Sequence, residues 1–148
     1  AKVCDGAAAV VLAAGGRGRK VCKRSPWTRG IGSRIEPRAV GARDLTVSES
    51  ARRCAAALDL GGVDTAELHA PFSHQELVLR REAGLGEDVR INPSGGALAS
   101  NPMFSAGGIR VGEAARRIWA GESDKALAHA TSGPALQQNF MCTLEGTI

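Results

Sequence analysis

Aromatic side chains are scarce in this sequence: among 148 residues there are three Phe, two Trp and no Tyr. A hydrophobic core must therefore be built mainly from Ala, Val, Leu and Ile, with close backbone contacts at some of the 19 Gly. Such a composition suits the layered packing of an α/β domain. The absence of Tyr also removes one class of general base from any mechanism that uses this chain alone.

Long apolar runs are missing as well. The longest run, 7–14, has eight residues, whereas a helix that crosses a membrane needs about 20. The chain does not open with a basic segment followed by an apolar one, the pattern of an export signal. We therefore expect no membrane span and a cytoplasmic location.

No two cysteines stand at the spacing of a metal-binding pair. The four are Cys4, Cys22, Cys54 and Cys142, and none forms a C-x-x-C motif. This spacing argues against zinc and, without an export signal, against a disulfide framework. We expect buried or incidental thiols and no metal site.

Basic side chains concentrate near the start of the chain. Residues 2–43 carry ten of the 19 basic residues and only two of the 15 acidic ones. Such a segment can attract nucleic acid or the phosphates of a nucleotide-bearing substrate. Interleaved aromatics and a recognition motif are missing, so we expect no nucleic-acid partner. A solvated face or a contact with another chain is the alternative.

Apolar periodicity and turn residues predict alternating strands and helices. The predicted strands are 7–13, which should be buried on both faces, 63–69, 125–130 and 140–144. Capping boxes at 46–49 and 73–76 open two predicted helices, which run to the glycines at 61–62 and 84. A third helix is predicted over 105–119, and 27–43 should be irregular or extended. The pattern indicates one α/β domain over 1–148, with a mixed sheet layered with helices.

Two groups of glycines carry separate predictions. Those at 15, 16 and 18 predict a turn, because Pro26 and its basic neighbours disfavour a helix there. Glu36 lies 18 residues beyond Gly18, which leaves a dinucleotide-binding fingerprint as an alternative. The pair Gly107 and Gly108, in the first turn of the third helix, predicts a close approach of another segment.

Four short stretches carry a family resemblance. They are D-G-A-A-A-V-V at 5–11, E-L-H-A-P-F at 67–72, N-P-S-G-G-A-L at 92–98 and A-L-Q-Q-N at 135–139. In this order they resemble the C-terminal half of a thiolase. The second and last resemble most closely the thiolase-like enzymes of the sterol carrier protein X or lipid-transfer type, in which a His replaces the Asn of the N-E-A-F motif.

The resemblance implies a thiolase fold of two βαβαβαββ halves, of which this chain would be the C-terminal one. The N-terminal half, which holds the nucleophilic cysteine in the family, is expected to be absent from this chain. The expected partners are a chain with that half or a second thiolase-like chain, in an oligomer, and a small OB-fold protein is a further candidate. The alternative is a truncated fragment without a function of its own.

The resemblance also assigns site residues. His69 matches the N-E-A-F position in its His-bearing form, where it would donate to a thioester oxyanion. Asn101 stands where thiolases carry the His of G-H-P, and an amide can donate a hydrogen bond but cannot accept a proton at neutral pH. The C-x-G cysteine is missing from 130–134, and Gly133 is expected to keep a backbone N–H role. The loop residues expected to contact the substrate are Asn92, Ser94, Gly95 and Gly96.

The implied function is that of a thiolase-like acyl-CoA acyltransferase or carbon–carbon bond-cleaving domain of lipid or sterol metabolism. A coenzyme A thioester would be the substrate, no other cofactor is expected, and Arg24 or Arg29 would contact its phosphates. Because the G-H-P and C-x-G motifs are altered, two alternatives stand beside it: a retro-aldolase subunit acting on a β-hydroxyacyl-CoA, and a non-catalytic subunit. A metal pair of His69 and His74 is disfavoured, because His74 belongs to the helix that opens at 73.

Overall fold

The computed structural model describes residues 1–146, so the predicted domain 1–148 extends two residues beyond them. The helices are α1 (Gly15–Val21), α2 (Glu49–Ala55), α3 (Ser73–Glu82), α4 (Gly96–Ala99) and α5 (Ala106–Trp119), with a 3-10 turn at Val40–Ala42. The strands are β1 (Trp27–Ile35), β2 (Thr65–Glu67), β3 (Arg90–Ile91), β4 (Lys125–Ser132) and β5 (Gln138–Glu145). Within residues 1–146, no helix has the length and apolar character needed to cross a membrane.

The five strands form one mixed sheet in the order β1-β5-β4-β2-β3. β1, β5 and β4 are antiparallel neighbours, whereas β4, β2 and β3 are parallel. The parallel strands require crossovers, which α3 and α5 supply. The prediction of an α/β domain with a mixed sheet and layered helices is confirmed, and the architecture is consistent with a thiolase-like fold.

Helices cover the two faces of the sheet, as the alternation along β4 requires. Ala126 and Ala128 face α5 and pack with its Ala114 and Ile118. Leu127, between them, belongs to the larger core on the other face, beneath α2 and α3. The scarcity of aromatics is thus met by small aliphatic side chains, which let the helices lie close to the sheet.

Several predicted elements are confirmed. The apolar stripe over 105–119 forms α5, and the two closing strands form β4 and β5, each slightly longer than predicted. The predicted helix from 73 to 84 is α3, and the predicted strand over 63–69 contains β2. The capping box predicted at 73–76 does not form, because Ser73 is the first helical residue and the N-cap, Phe72, makes no side-chain capping bond. These segments bury apolar side chains at regular spacing, and that spacing is what sequence periodicity detects.

The predicted buried strand at 7–13 is wrong. This segment forms no regular structure, and its apolar side chains are exposed, with Val11 95% and Leu12 87% accessible. A strand forms only where a neighbour satisfies its backbone groups, and here the sheet is built from other segments. The predicted turn at 15–18 is also wrong, since these residues begin α1. The extended alternative for 27–43 is confirmed in part by β1.

The helix predicted from the first capping box to 61–62 forms only as the shorter α2, which ends at Ala55, and its cap lies two residues later than predicted. Ser48, not Thr46, caps α2 and accepts a hydrogen bond from the N–H of Ala51 at 3.3 Å. Thr46 instead bonds Asp44 through both its N–H and its hydroxyl. Two cap-type side chains, two positions apart, compete for the same helix start, and Asp44 engages the first of them.

The close approach predicted at Gly107 and Gly108 is confirmed. A Cβ atom on Gly107 would lie 2.6 Å from Cβ of Ala130 in β4, and one on Gly108 would lie 3.1 Å from Cβ of Ala8. The first of these separations is too short for a non-bonded contact of two carbon atoms, so α5 can lie this close to β4 only with glycine at this position.

We expect Gly107→Ala to destabilise the fold by about 1–3 kcal/mol, the usual cost of overpacking. Gly112→Ala is the matched control, because it lies in the same helix and its added methyl meets nothing within 4 Å. The control should stabilise the protein by roughly 0.5–1 kcal/mol through helix propensity. Urea unfolding measures both free energies, and equal effects at the two sites would contradict the close approach.

Candidate functional site

A cavity of about 410 Å³ lies at the end of the sheet where β2 and β4 terminate. Its walls come from residues within 69–75, 101–104 and 131–136, together with Ala1 and Val3. His69, Asn101 and Gly133, which the sequence nominated separately, all line it. Most of the wall is apolar, as in pockets that bind small organic ligands.

His69 is held as a neutral hydrogen-bond donor. It follows β2 and is buried, and its Nδ1 accepts the backbone N–H of Thr131 at 3.4 Å. The neutral ring therefore carries its proton on Nε2. Burial lowers the pKa of His69 below its usual value of 6.5, the charge of Arg110 lowers it further, and Asn101 opposes the shift. At neutral pH the side chain offers an N–H rather than a positive charge.

Three buried polar atoms of cavity-lining side chains lack a partner at good hydrogen-bond geometry within the described chain: Nε2 of His69, Oε1 of Gln75 and Oδ1 of Asn101. The side chain of Asn101 nevertheless lies close enough to His69 to raise its pKa through a weak hydrogen bond. A buried polar atom left unpaired costs roughly 1–3 kcal/mol. Three of them around one cavity indicate a place for a polar ligand group. The set offers one donor and two acceptors.

Asn101 owes its place to two main-chain hydrogen bonds. Its N–H donates to the carbonyl of Lys2 at 3.2 Å, and its carbonyl accepts from Cys4 at 3.4 Å. The side chain is 5% exposed, which leaves its amide directed at protein and cavity rather than at bulk water. Gln75, one turn into α3, was not predicted from the sequence. Only its position on the helix turn that follows His69 could have suggested it.

The predicted substrate loop at 92–96 does not line this cavity. Asn92 accepts from the N–H of Leu68 at 2.6 Å and donates to Glu76 at 2.5 Å. The hydroxyl of Ser94 donates to Glu67 at 2.6 Å. The side chains of Asn92 and Ser94 thus fix the end of β2 and the residue before His69. The substrate contacts assigned to Asn92, Ser94, Gly95 and Gly96 remain predictions.

A fully buried carboxylate, Glu67, lies two residues before His69 in the sequence. Glu67 is paired with Arg110 at 3.1 Å and with Arg117 at 3.4 Å, both from α5. Ser94 completes the group through its N–H and hydroxyl. Sequence reasoning did not find this cluster, although the seven-residue spacing of the two arginines places them on one face of a helix.

A second buried polar network ties the cavity wall together. The backbone N–H of His69 donates to Nδ1 of His129 at 3.3 Å, and Nε2 of His129 contacts Oδ1 of Asn139 at 2.8 Å. Nδ2 of Asn139 donates to the carbonyl of Leu136 at 2.9 Å. Burial, the largest influence, lowers the pKa of His129 to about 4, so its ring is neutral. The Asn of the A-L-Q-Q-N stretch thus joins both sides of the cavity.

No cysteine among residues 1–146 lines the cavity. Burial raises the pKa of the Cys142 thiol to about 11 and also raises that of Cys54. A neutral, buried thiol is a poor nucleophile. Over the same residues, no three His, Cys, Asp or Glu side chains lie where they could hold a metal ion.

The two arginines assigned to phosphate are engaged elsewhere. Arg24 donates to the carbonyls of Ile118 and Ser123 and pairs with Asp124 at 2.5 Å. Arg29 pairs with Glu145 at 2.7 Å. Neither arginine lines the cavity. Their role in binding phosphate stays a prediction, and it would require these hydrogen bonds and ion pairs to break in favour of the phosphate.

Part of the chain is similar to known thiolases. Two beta-ketoadipyl-CoA thiolase sequences of Acinetobacter baylyi are 36% identical to this chain over 78 residues. This similarity supports a relationship to the thiolase superfamily. The matched stretch is 52% of this chain and only 19% of those thiolases. No protein-family profile matches the chain.

Proposed function

We propose that the cavity binds the acyl-thioester part of a coenzyme A ester, with Nε2–H of His69 donating to the thioester carbonyl oxygen. The observation that carries this proposal is the buried Nε2–H donor of a neutral His69 at an apolar cavity, which has no partner at good hydrogen-bond geometry among residues 1–146 and only the weak influence of Asn101. A fixed donor in such a place stabilises the negative charge that develops on a carbonyl oxygen. The similarity to thiolases supports the choice of thioester.

The chain would contribute this donor to a thiolase-like enzyme of lipid or sterol metabolism. Thiolysis needs a cysteine and a base in addition. Neither is supplied by the cavity-lining residues described, because Asn101 cannot accept a proton and His69 has its Nδ1 engaged. We propose that a chain carrying an N-terminal thiolase half or a second thiolase-like chain supplies them. The exposed side chains of 10–12 support such a contact.

Cleavage of a β-hydroxyacyl thioester is the second candidate. In this reaction a base, which the partner chain would have to supply, removes the hydroxyl proton, the Cα–Cβ bond breaks, and its electron pair forms the thioester enolate. The β-carbon leaves as a carbonyl compound, and the enolate takes up a proton. The acceptors Oδ1 of Asn101 and Oε1 of Gln75 favour this reading, because they can receive a substrate hydroxyl while His69 holds the carbonyl. A non-catalytic subunit would bind neither group selectively.

Calorimetric titration with butyryl-CoA and 3-hydroxybutyryl-CoA tests the proposal. We expect both to bind, and His69→Leu to weaken binding at least about tenfold, since a buried donor to a carbonyl is lost. His69→Gln is the matched control, because its amide restores an N–H donor at similar length and should stay within about threefold of the original. Thermal melts establish that each variant is folded.

Two results would contradict parts of the proposal. Equal affinity of His69→Leu and the unchanged protein removes His69 from the thioester site. A preference for the hydroxylated ester that Asn101→Leu abolishes supports β-hydroxyacyl cleavage, whereas equal binding of the two esters removes the basis for that candidate. Isolation of the protein with its natural companions then tests whether a thiolase-like partner chain exists.

A further inference from the structure

The loop that joins β4 and β5 forms one wall of the cavity in an unusual backbone conformation. Gly133, Pro134, Ala135 and Leu136 all line the cavity. Gly133 has φ 74°, Ala135 φ 50° and Leu136 φ 57°. Residues with a Cβ rarely adopt this left-handed region, and two in succession are strained. Such strain persists only where the surroundings determine the conformation.

Two side chains hold three successive carbonyls of this loop, and one of them, Arg43, comes from a distant part of the sequence. Arg43 donates to Pro134 at 2.8 Å and to Ala135 at 3.2 Å. Asn139 donates to Leu136 at 2.9 Å. The fork of the guanidinium group matches two neighbouring carbonyls, which the single ammonium of a lysine cannot do with the same geometry.

Arg43 is itself fixed by a buried carboxylate. Its Nη1 pairs with Glu36 at 3.2 Å, and the two side chains are only 4% and 9% exposed. Glu36 also accepts hydrogen bonds from the hydroxyls of Ser48 and Ser50. Burial alone would raise the pKa of Glu36, but the bonds from Ser50, Arg43 and Ser48 outweigh it and lower the pKa. The carboxylate therefore stays charged and keeps the guanidinium in place.

The same serines connect this ion pair to the other wall. Nδ2 of Asn139 donates to Ser50 at 2.7 Å, and Oδ1 of Asn139 contacts His129, which receives the N–H of His69. A continuous set of buried hydrogen bonds thus runs from Glu36 to the backbone of His69. These hydrogen bonds connect the 133–136 loop to His69, whose side chain is the donor in the proposed function.

We propose that Arg43, held by Glu36, is a positioning residue that sets the shape of the cavity by fixing the 133–136 loop in its left-handed conformation. Arg43 does not line the cavity. Its effect on a ligand is therefore transmitted through the loop carbonyls. The effect on ligand binding rests on the proposed function, whereas the effect on the loop does not.

The first test reads the loop without any ligand. In Arg43→Met, we expect the 13Cα and 13Cβ chemical shifts of Ala135 and Leu136 to leave the range of positive φ, while those of β4 and β5 stay unchanged. Glu82→Gln is the matched control: Glu82 is a similarly buried carboxylate, 4% exposed and paired with Arg52 and Arg81, outside the cavity wall. Unchanged loop shifts in Arg43→Met, in a folded protein, would overturn the proposal.

The second test measures affinity for 3-hydroxybutyryl-CoA. Arg43→Met and Glu36→Gln should weaken binding about tenfold, the scale of a lost charge-assisted hydrogen bond, while Glu82→Gln leaves it unchanged. Arg43→Lys should recover part of the loss, and it replaces Arg43→Met in both tests if that variant does not fold. Equal losses in Glu82→Gln would overturn the positioning role. If the unchanged protein binds no thioester but the loop shifts still move, the proposed function fails and the positioning role stands.

Discussion

Replacement of Glu67 by glutamine should destabilise the protein by about 3–5 kcal/mol, the usual cost of leaving a buried charge unpaired. Glu67 is fully buried and is the carboxylate between Arg110 and Arg117. Arg117 keeps a second partner, Glu122, at 2.9 Å. Arg110 has no other carboxylate within salt-bridge distance in the described chain, so most of the cost arises from its stranded charge. A loss of this size is a large part of the roughly 5–15 kcal/mol that stabilises a typical domain.

Two companion variants identify the cause. Glu113→Gln removes a carboxylate of α5, the helix that also carries Arg110 and Arg117. Glu113 pairs with Arg116 at the surface, so this change should cost no more than about 1 kcal/mol. Adding Arg110→Met to Glu67→Gln removes the stranded charge and should recover part of the loss. Denaturant unfolding with each variant measures these differences. A double variant less stable than the sum of its single changes would contradict the assigned cause.

Acid should weaken the fold between about pH 6.5 and pH 4 because of His129. The pKa of this side chain falls from 6.5 to about 4 on burial. Between these two pH values His129 is protonated in the unfolded chain but stays neutral in the native fold, so the free energy of unfolding decreases as pH falls. At 1.36 kcal/mol per pH unit, this difference amounts to about 3 kcal/mol. His69, whose pKa is also lowered by burial, acts in the same direction.

Measurements above pH 4.5 distinguish the contribution of the histidines to the free energy of unfolding from that of the carboxylates. Glu36, Asp64 and Glu82 also have lowered pKa values, despite burial that opposes the shift, because hydrogen bonds stabilise their charged forms. Their contribution is lost only below the ordinary carboxylate pKa, whereas that of His129 is lost from pH 6.5 downward. Unfolding free energies at pH 7.5, 6.5, 5.5 and 4.5 give the slope. His129→Asn should flatten it, and a slope unchanged in that variant would exclude His129 as its source.

Local pattern was enough to predict much of the framework from the sequence. The apolar spacing over 105–119 and the runs at 125–130 and 140–144 predicted α5, β4 and β5, because each of these elements presents its apolar side chains at its own period. The glycine pair in α5 predicted a close approach, and Gly107 lies against Ala130. The fold class follows from the order of these segments.

The candidate site was predicted only as separate residues. His69 and Asn101 were nominated by short motifs 32 positions apart, and the structure brings both to one cavity together with Gly133. Their roles in binding remain predictions. Gln75 was not predicted, and only its position after His69 pointed to it, because its importance lies in a buried oxygen without a partner in the described chain, and pairing depends on neighbours from the whole fold.

By itself the sequence determined the α/β class, the main helix and the two closing strands, since these depend on side chains a few positions apart. The tertiary structure alone decided that 7–13 is exposed, that Glu67 pairs with two arginines, and that Arg43 holds a loop 91 residues away. Sheet neighbours and buried charge pairs join distant segments, and their energy depends on burial. Sheet pairing and the energy of a buried charge pair therefore cannot be predicted from residues that are close in the sequence.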